Sequence, residues 1–176
     1  MGLNREKIKT LISKQEIGKK IAEMGKQITK DFDGEEVICV CILKGSVIFY
    51  SDLVRAIDLP VYFDFVRASS YGSQLTSSGD VKISKDLSSS IEGKNVIVIE
   101  DIVDTGITLT FLKNLFQTRN PKSLKICSLL YKPANKVKDV KIDYLGFTIE
   151  NHFVVGYGLD ANEKYRNLDY VGIYQE

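Results

Sequence analysis

Between Asn95 and Leu109 the chain reads NVIVIEDIVDTGITL, which sets the acids Glu100 and Asp101 directly after an apolar run and follows them with Asp104, Thr105, Gly106, Ile107 and Thr108. The run Val96 to Ile99 is β-branched throughout, the composition of a parallel strand buried on both faces. Consecutive strand residues point to opposite sides, so the two carboxylates are expected to do different work. Beyond the turn, Leu109, Leu112, Leu115 and Phe116 recur at helical spacing until Asn120-Pro121. A strand, a glycine turn and a helix start make an anion site, because the first amides of a helix lack partners and its dipole favours negative charge. The plainer alternative is an N-cap at Asp104 or Thr105 with Gly106 in a loop. What separates the two is the acid pair: carboxylates beside a phosphate cradle repel the ligand unless they hold a divalent cation or sugar hydroxyls. A P-loop is excluded, since no lysine precedes Thr108, and so is a dinucleotide fingerprint, since Gly106 stands alone.

A second strand, glycine and helix unit lies upstream. Val37 to Leu43 is a buried strand, Lys44-Gly45-Ser46 a turn, and Val47 to Ile57 a helical pattern. Amides freed at Gly45, with the charge of Lys44, suit a second phosphate group. Leu124 to Tyr131 is a further strand, and Lys132 stands at its exit, where parallel sheets present residues to a ligand crevice.

The positioning elements follow from the same patterns. A helix is expected from about Lys14 to Phe32, closed by Asp33-Gly34, and strands over Val61 to Val66 and Ile142 to Phe147. The polar stretch 68–86, rich in serine and glycine, predicts a lid or a mobile hairpin. The last part carries Phe153-Val154-Val155 among glycines, then Asp160 and Arg166. The only histidine, His152, is read as incidental, because the central motif already supplies an acid.

The chain has 176 residues, 44% of them hydrophobic, enough for one sizeable core. A formal charge of +1 gives no basic excess for nucleic acid or an anionic membrane. No apolar run approaches the roughly 18 residues of a membrane span, and the polar start MGLNREKIK is no secretory leader, so a cytoplasmic protein is expected. The three cysteines, Cys39, Cys41 and Cys127, fall in strand patterns and read as core thiols.

Taken together, Lys44-Gly45-Ser46, the segment around Ser70-Tyr71-Gly72, EDIVDTGITL, SLLYKP, and FVVGYGLD followed by YRNLDYVG resemble the hypoxanthine-guanine family of type I phosphoribosyltransferases. The resemblance implies an α/β fold: one domain with a parallel twisted sheet flanked by helices. It also implies a small hood from about 1–15 and 150–176 and a lid over about 68–86. The implied reaction is transfer of the 5-phosphoribosyl group of phosphoribosyl pyrophosphate to N9 of a 6-oxopurine, with Mg2+. Glu100 and Asp101 then match the acids that engage the ribose hydroxyls, directly or through Mg2+, and Asp160 a second metal ligand. Asp104 matches the general base or proton relay near purine N7. Thr105, Gly106, Ile107, Thr108 and the amide of Asp104 match the 5′-phosphate cradle, and Lys44 and Gly45 the pyrophosphate loop, in which the family often has a cis peptide. Lys132 matches the donor to the 6-oxo group, Phe153 stacks on the base, and Val154 meets it through its backbone. Arg166 matches an arginine on pyrophosphate, and Ser70 and Tyr71 match lid residues. A homodimer or homotetramer is implied as well.

Ile107 stands where some members carry lysine, and Asn151-His152 where many carry an acid, which leaves the choice among hypoxanthine, guanine and xanthine open. An RNA-binding regulator on the same fold is disfavoured by Asp104 and by the near-zero charge. A haloacid dehalogenase phosphatase needs two acids separated by a single residue at a strand end, whereas Asp101 and Asp104 are separated by two.

Overall fold

The computed structural model describes residues 7–70 and 81–175. Its elements in chain order are β1 (Ile8–Ile12), α1 (Lys14–Asp31), β2 (Val37–Ile42), α2 (Val47–Ala56), β3 (Val61–Ser70), β4 (Val81–Lys85), β5 (Asn95–Val103), α3 (Ile107–Gln117), β6 (Ser123–Tyr131), β7 (Tyr144–Thr148), β8 (Val154–Val155) and β9 (Val171–Tyr174). The main sheet runs β4-β3-β2-β5-β6-β7. All its pairs are parallel except the hairpin of β3 with β4.

The strand composition dictates two layers. In β2 and β5, Cys39, Cys41, Ile97 and Ile99 face one side with Ile17, Ile21, Ile28, Phe49 and Leu53 of α1 and α2. Alternate residues Ile38, Val40, Val96 and Val98 face the other with Leu109, Leu112 and Phe116 of α3. A strand that must be apolar on both faces can carry polar side chains only at its ends. α1 starts cleanly because Ser13 and Glu16 form a reciprocal capping box. The three cysteines are free and buried. Burial pushes the Cys39 thiol up to about 12, so it is inert packing at neutral pH.

From β2 the chain passes through α2 to β3 on one side, and from β5 through α3 to β6 on the other. The exits of β2 and β5 therefore flank the point where connections diverge, which is where open α/β sheets leave a crevice. The turn Lys44-Gly45-Ser46 and the stretch Glu100 to Thr108 both open there.

Three features depart from the sequence expectation. The expected strand over Val61 to Val66 continues to Ser70 and pairs antiparallel with β4, which agrees with the hairpin alternative for the stretch 68–86 at its two described ends. Likewise β5 does not stop at Ile99 but carries Glu100 and Asp101 within it, as far as Val103. Neither β1 nor β9 was legible as a strand; they pair with each other antiparallel and with β8 form a second sheet, β1-β9-β8.

Asp86, just after β4, ties that hairpin to the end of α3. Arg119 grips its carboxylate with both arms, Nη1 to Oδ1 at 3.0 Å and Nη2 to Oδ2 at 2.6 Å. That guanidinium holds the Asp86 carboxyl below the usual range. A carboxyl depressed in the folded state adds stability above its unfolded pKa and loses it as pH falls through its folded value. Since the pair is partly exposed, Asp86→Asn should cost only about 0.5 kcal/mol at neutral pH, read from denaturant midpoints. The difference should close as the solution is acidified below the carboxylate range.

Candidate active site

A cleft of about 400 Å³ opens at the exits of β2 and β5, lined among others by Gly45, Glu100, Asp101, Asp104, Thr105, Gly106, Thr108, Asp160 and Arg166. Ile42, Leu43, Ala68, Ile102, Val103 and Leu109 complete the lining. Apart from Leu109, which belongs to the helical pattern of α3, these neighbours had no signal in the sequence beyond belonging to strands.

The two adjacent acids have different surroundings. Glu100 Oε1 accepts the Asp101 amide at 3.1 Å, and Asp101 Oδ1 accepts the Ile102 amide at 2.8 Å. The other Asp101 oxygen faces the β2 turn closely enough that a Cβ on Gly45 would lie 1.8 Å from it. Burial, followed by the charge of Asp101, pushes the Glu100 carboxyl well above the usual range, and burial raises Asp101 too. Among the described residues, the one cation that offsets this is Arg166, which lines the same cleft and draws the Asp101 carboxyl back down.

Gly45 is pinched from its other side as well. A Cβ on Gly158, which sits at φ 103°, would meet the Gly45 carbonyl at 1.9 Å. The turn is thus held between Asp101 and the segment after β8, and the Leu43–Lys44 peptide is cis. Lys44 itself reaches out of the turn to Glu163, 3.1 Å away. Sequence reasoning missed Glu163 and Gly158, because their partners lie far along the chain.

At the exit of β5, the helix start has no side-chain cap at its N-cap position, and among the described residues the one side-chain contact to its first amide is the Thr105 hydroxyl, which accepts from Ile107 at 3.4 Å. Gly106 is the N-cap of α3 at φ 76°, so neither Asp104 nor Thr105 takes that place. The amides at the start of α3 are oriented to meet an anion. Only glycine fits at position 106, since a Cβ would sit 2.4 Å from the Lys138 carbonyl.

Asp104 and Lys132 emerge side by side. Val103 and Tyr131 are register partners of parallel strands, so the next residues leave the sheet beside each other; Asp104 lines the cleft, and Lys132 stands next to it without being part of the lining. Lys132 Nζ lies 3.9 Å from Asp104 Oδ2 and is largely buried, while Asp104 Oδ1 is buried with no hydrogen-bond partner.

The remaining expected residues divide between the cleft wall and its surroundings. Phe153 is 58% exposed and borders a separate hollow with Tyr165 and Tyr174, and Val154 beside it is buried. Asp160 Oδ1 is 2.9 Å from Arg166, and its Oδ2 accepts the Glu163 amide at 2.8 Å. The backbone of Ser70 ends β3, whereas Tyr71 lies outside the described residues. His152 is paired with Glu150 at 3.2 Å and is not among the residues lining the cleft.

The model of the phosphoribosyl transferase domain matches residues 8–162. The chain belongs to the phosphoribosyltransferase family. It is 47% identical to the hypoxanthine-guanine phosphoribosyltransferase of Streptococcus thermophilus, over 99% of this chain and 97% of that one. The enzyme of the same name from Bacillus subtilis is also 47% identical, over 94% of this chain and 92% of that one. Among solved structures, the hypoxanthine phosphoribosyltransferase of Staphylococcus aureus superposes with a TM-score of 0.94 at 44% identity, covering 99% and 97% of the two chains. The phosphoribosyltransferase fold, mostly parallel and flanked by helices, is therefore that of the crevice described above. Among its described residues no helix is long and apolar enough to cross a membrane.

Proposed function

We propose that the chain is a cytoplasmic purine-salvage enzyme that transfers 5-phosphoribosyl from phosphoribosyl pyrophosphate to N9 of hypoxanthine or guanine, giving IMP or GMP and pyrophosphate. The observation that carries this is the pairing of Asp104, with one unpartnered oxygen, and buried Lys132 at neighbouring strand exits. A 6-oxopurine offers both of them a matching edge: an acceptor at O6 for the lysine and a ring proton for the carboxylate. Adenine's amino group would instead face the ammonium with another donor, a mismatch that leaves a buried charge unpaired.

In the reaction, N9 attacks C1′ of the ribose while the C1′–O bond to pyrophosphate breaks, and pyrophosphate leaves with the bonding pair. Asp104 takes the proton the purine sheds. The Gly106 turn and the first amides of α3, with Thr105, Ile107 and Thr108, hold the 5′-phosphate, as the open helix start supports. Lys44, the Gly45 turn and Arg166 receive pyrophosphate. Phe153 and Val154 border the base, and Ser70 and Tyr71 belong to the lid of this reading, over about 68–86. The second sheet, from both chain ends, serves as the hood.

Glu100 and Asp101 suit Mg2+, with Asp160 across the crevice as a further ligand. Their buried charges want a cation, and hard oxygen donors in ones and twos, completed by water and substrate oxygens, are how Mg2+ is usually held. Among the described residues no group of three or more His, Cys, Asp or Glu lies close enough together to hold a metal ion, so these carboxylates would supply only part of its shell. When bound, Mg2+ neutralises charge on the pyrophosphate. A homodimer or homotetramer belongs to the same reading, supported by the exposed apolar residues Val47 and Ile48 of α2 and Tyr62 and Phe63 of β3. Sedimentation as a monomer would remove that part alone.

The test is a product analysis with phosphoribosyl pyrophosphate and hypoxanthine. IMP and pyrophosphate should form in equal amounts with Mg2+ and cease on chelation. Turnover undiminished by a chelator would overturn the metal assignment, and the absence of nucleotide would overturn the function.

A further inference from the structure

The cations assigned above to pyrophosphate are already engaged. Lys44 Nζ lies 3.1 Å from both carboxylate oxygens of Glu163, and Arg166 Nη2 lies 3.3 Å from one of the same oxygens. One side chain thus bridges the turn after β2 and the arginine of the segment after β8, as an anionic ligand placed between them would.

Glu163 is delivered there by a fixed backbone. Asn162 and Glu163 adopt left-handed conformations, φ 51° and 62°, and Ala161 and Lys164 exchange backbone hydrogen bonds across the turn. Asp160 Oδ2 accepts the Glu163 amide at 2.8 Å. The side chain beyond this anchor is 65% exposed, so it can leave the cations without unfolding anything. Arg166 is held by the Gly158 carbonyl at 2.8 Å and by Asp160 Oδ1, 2.9 Å from the same Nη2 that Glu163 approaches, and its buried Nε has no partner. The guanidinium therefore stays at its post, with donor capacity to spare, whether or not Glu163 is in contact.

We propose that Glu163 sets the affinity for pyrophosphate: its carboxylate occupies the Lys44 and Arg166 pair in the free protein and is displaced by the pyrophosphate group. This rests on the functional reading above, which gives those two cations to pyrophosphate. Exposed ion pairs are weak individually, so the displacement lowers affinity without preventing binding. Its use is in turnover, because a carboxylate that returns to the cations competes with the leaving group and hastens its departure.

The test is calorimetric titration of inorganic pyrophosphate with Mg2+ into wild type, Glu163→Gln and Glu92→Gln. The last makes the same change of charge just before β5, at the opposite end of the sheet from the crevice. Glu163→Gln should bind pyrophosphate about three- to tenfold tighter, with the gain shrinking as salt is raised. KM for phosphoribosyl pyrophosphate should fall in parallel while KM for the purine stays put, a split that mere loosening of the turn would not give. Glu92→Gln should match wild type, and Glu163→Ala should repeat the gain. Wild type that binds pyrophosphate while Glu163→Gln binds it equally or more weakly overturns this inference alone. No pyrophosphate binding by wild type would overturn the functional reading and this inference together.

Discussion

Asp104→Asn should lower kcat for hypoxanthine by about 10²–10⁴-fold while leaving KM for phosphoribosyl pyrophosphate close to wild type. Asparagine keeps the shape and one acceptor of the side chain but cannot take a proton. The neighbouring Lys132 remains in place in this variant, since its main chain is tied to the Val103 carbonyl at 2.9 Å. The effect is therefore on the chemical step and not on assembly of the crevice. A variant that retains wild-type kcat would move the proton to water or to another group and remove Asp104 from the catalytic role.

Gly158→Ala should be the most damaging small change outside the catalytic acid. At φ 103° an alanine is strained whatever surrounds it, and its Cβ would sit 1.9 Å from the Gly45 carbonyl. Relief requires the Gly45 turn to move, yet on its far side Asp101 blocks any added bulk. We expect a loss of about 2–4 kcal/mol in denaturant unfolding. The surviving protein should show KM for phosphoribosyl pyrophosphate raised at least about tenfold, because the displaced turn carries Lys44. Wild-type stability and KM together would mean that the segment after β8 gives way freely, and that the turn is not clamped.

Much of the crevice was readable in one stretch of sequence because its parts are local. The apolar run before Glu100 announces a central strand, and the spacing of Leu109, Leu112 and Phe116 announces the helix whose start faces the ligand. Helix α1 was legible from its apolar face to within a residue of its end. What was not legible depends on chain segments meeting from far apart. The short strands β1 and β9 have too few residues to show a period, and they become strands only by pairing the two ends of the chain. Position 106 was readable as a glycine turn but not as the cap itself, since that role is fixed by the Lys138 carbonyl pressed against it. Glu163 gave no signal at all: an acid in a polar turn is ordinary, and only its approach to Lys44 gives it meaning.

The most direct test of the central claim is a comparison of kcat/KM for hypoxanthine, guanine, xanthine, adenine and uracil with phosphoribosyl pyrophosphate and Mg2+, in wild type and Lys132→Ala. The pairing of Asp104 with Lys132 predicts turnover of 6-oxopurines and rejection of adenine by at least about 10³-fold, with discrimination collapsing in Lys132→Ala as 6-oxopurine turnover falls. No turnover of any base, by folded protein that still binds phosphoribosyl pyrophosphate, would contradict it.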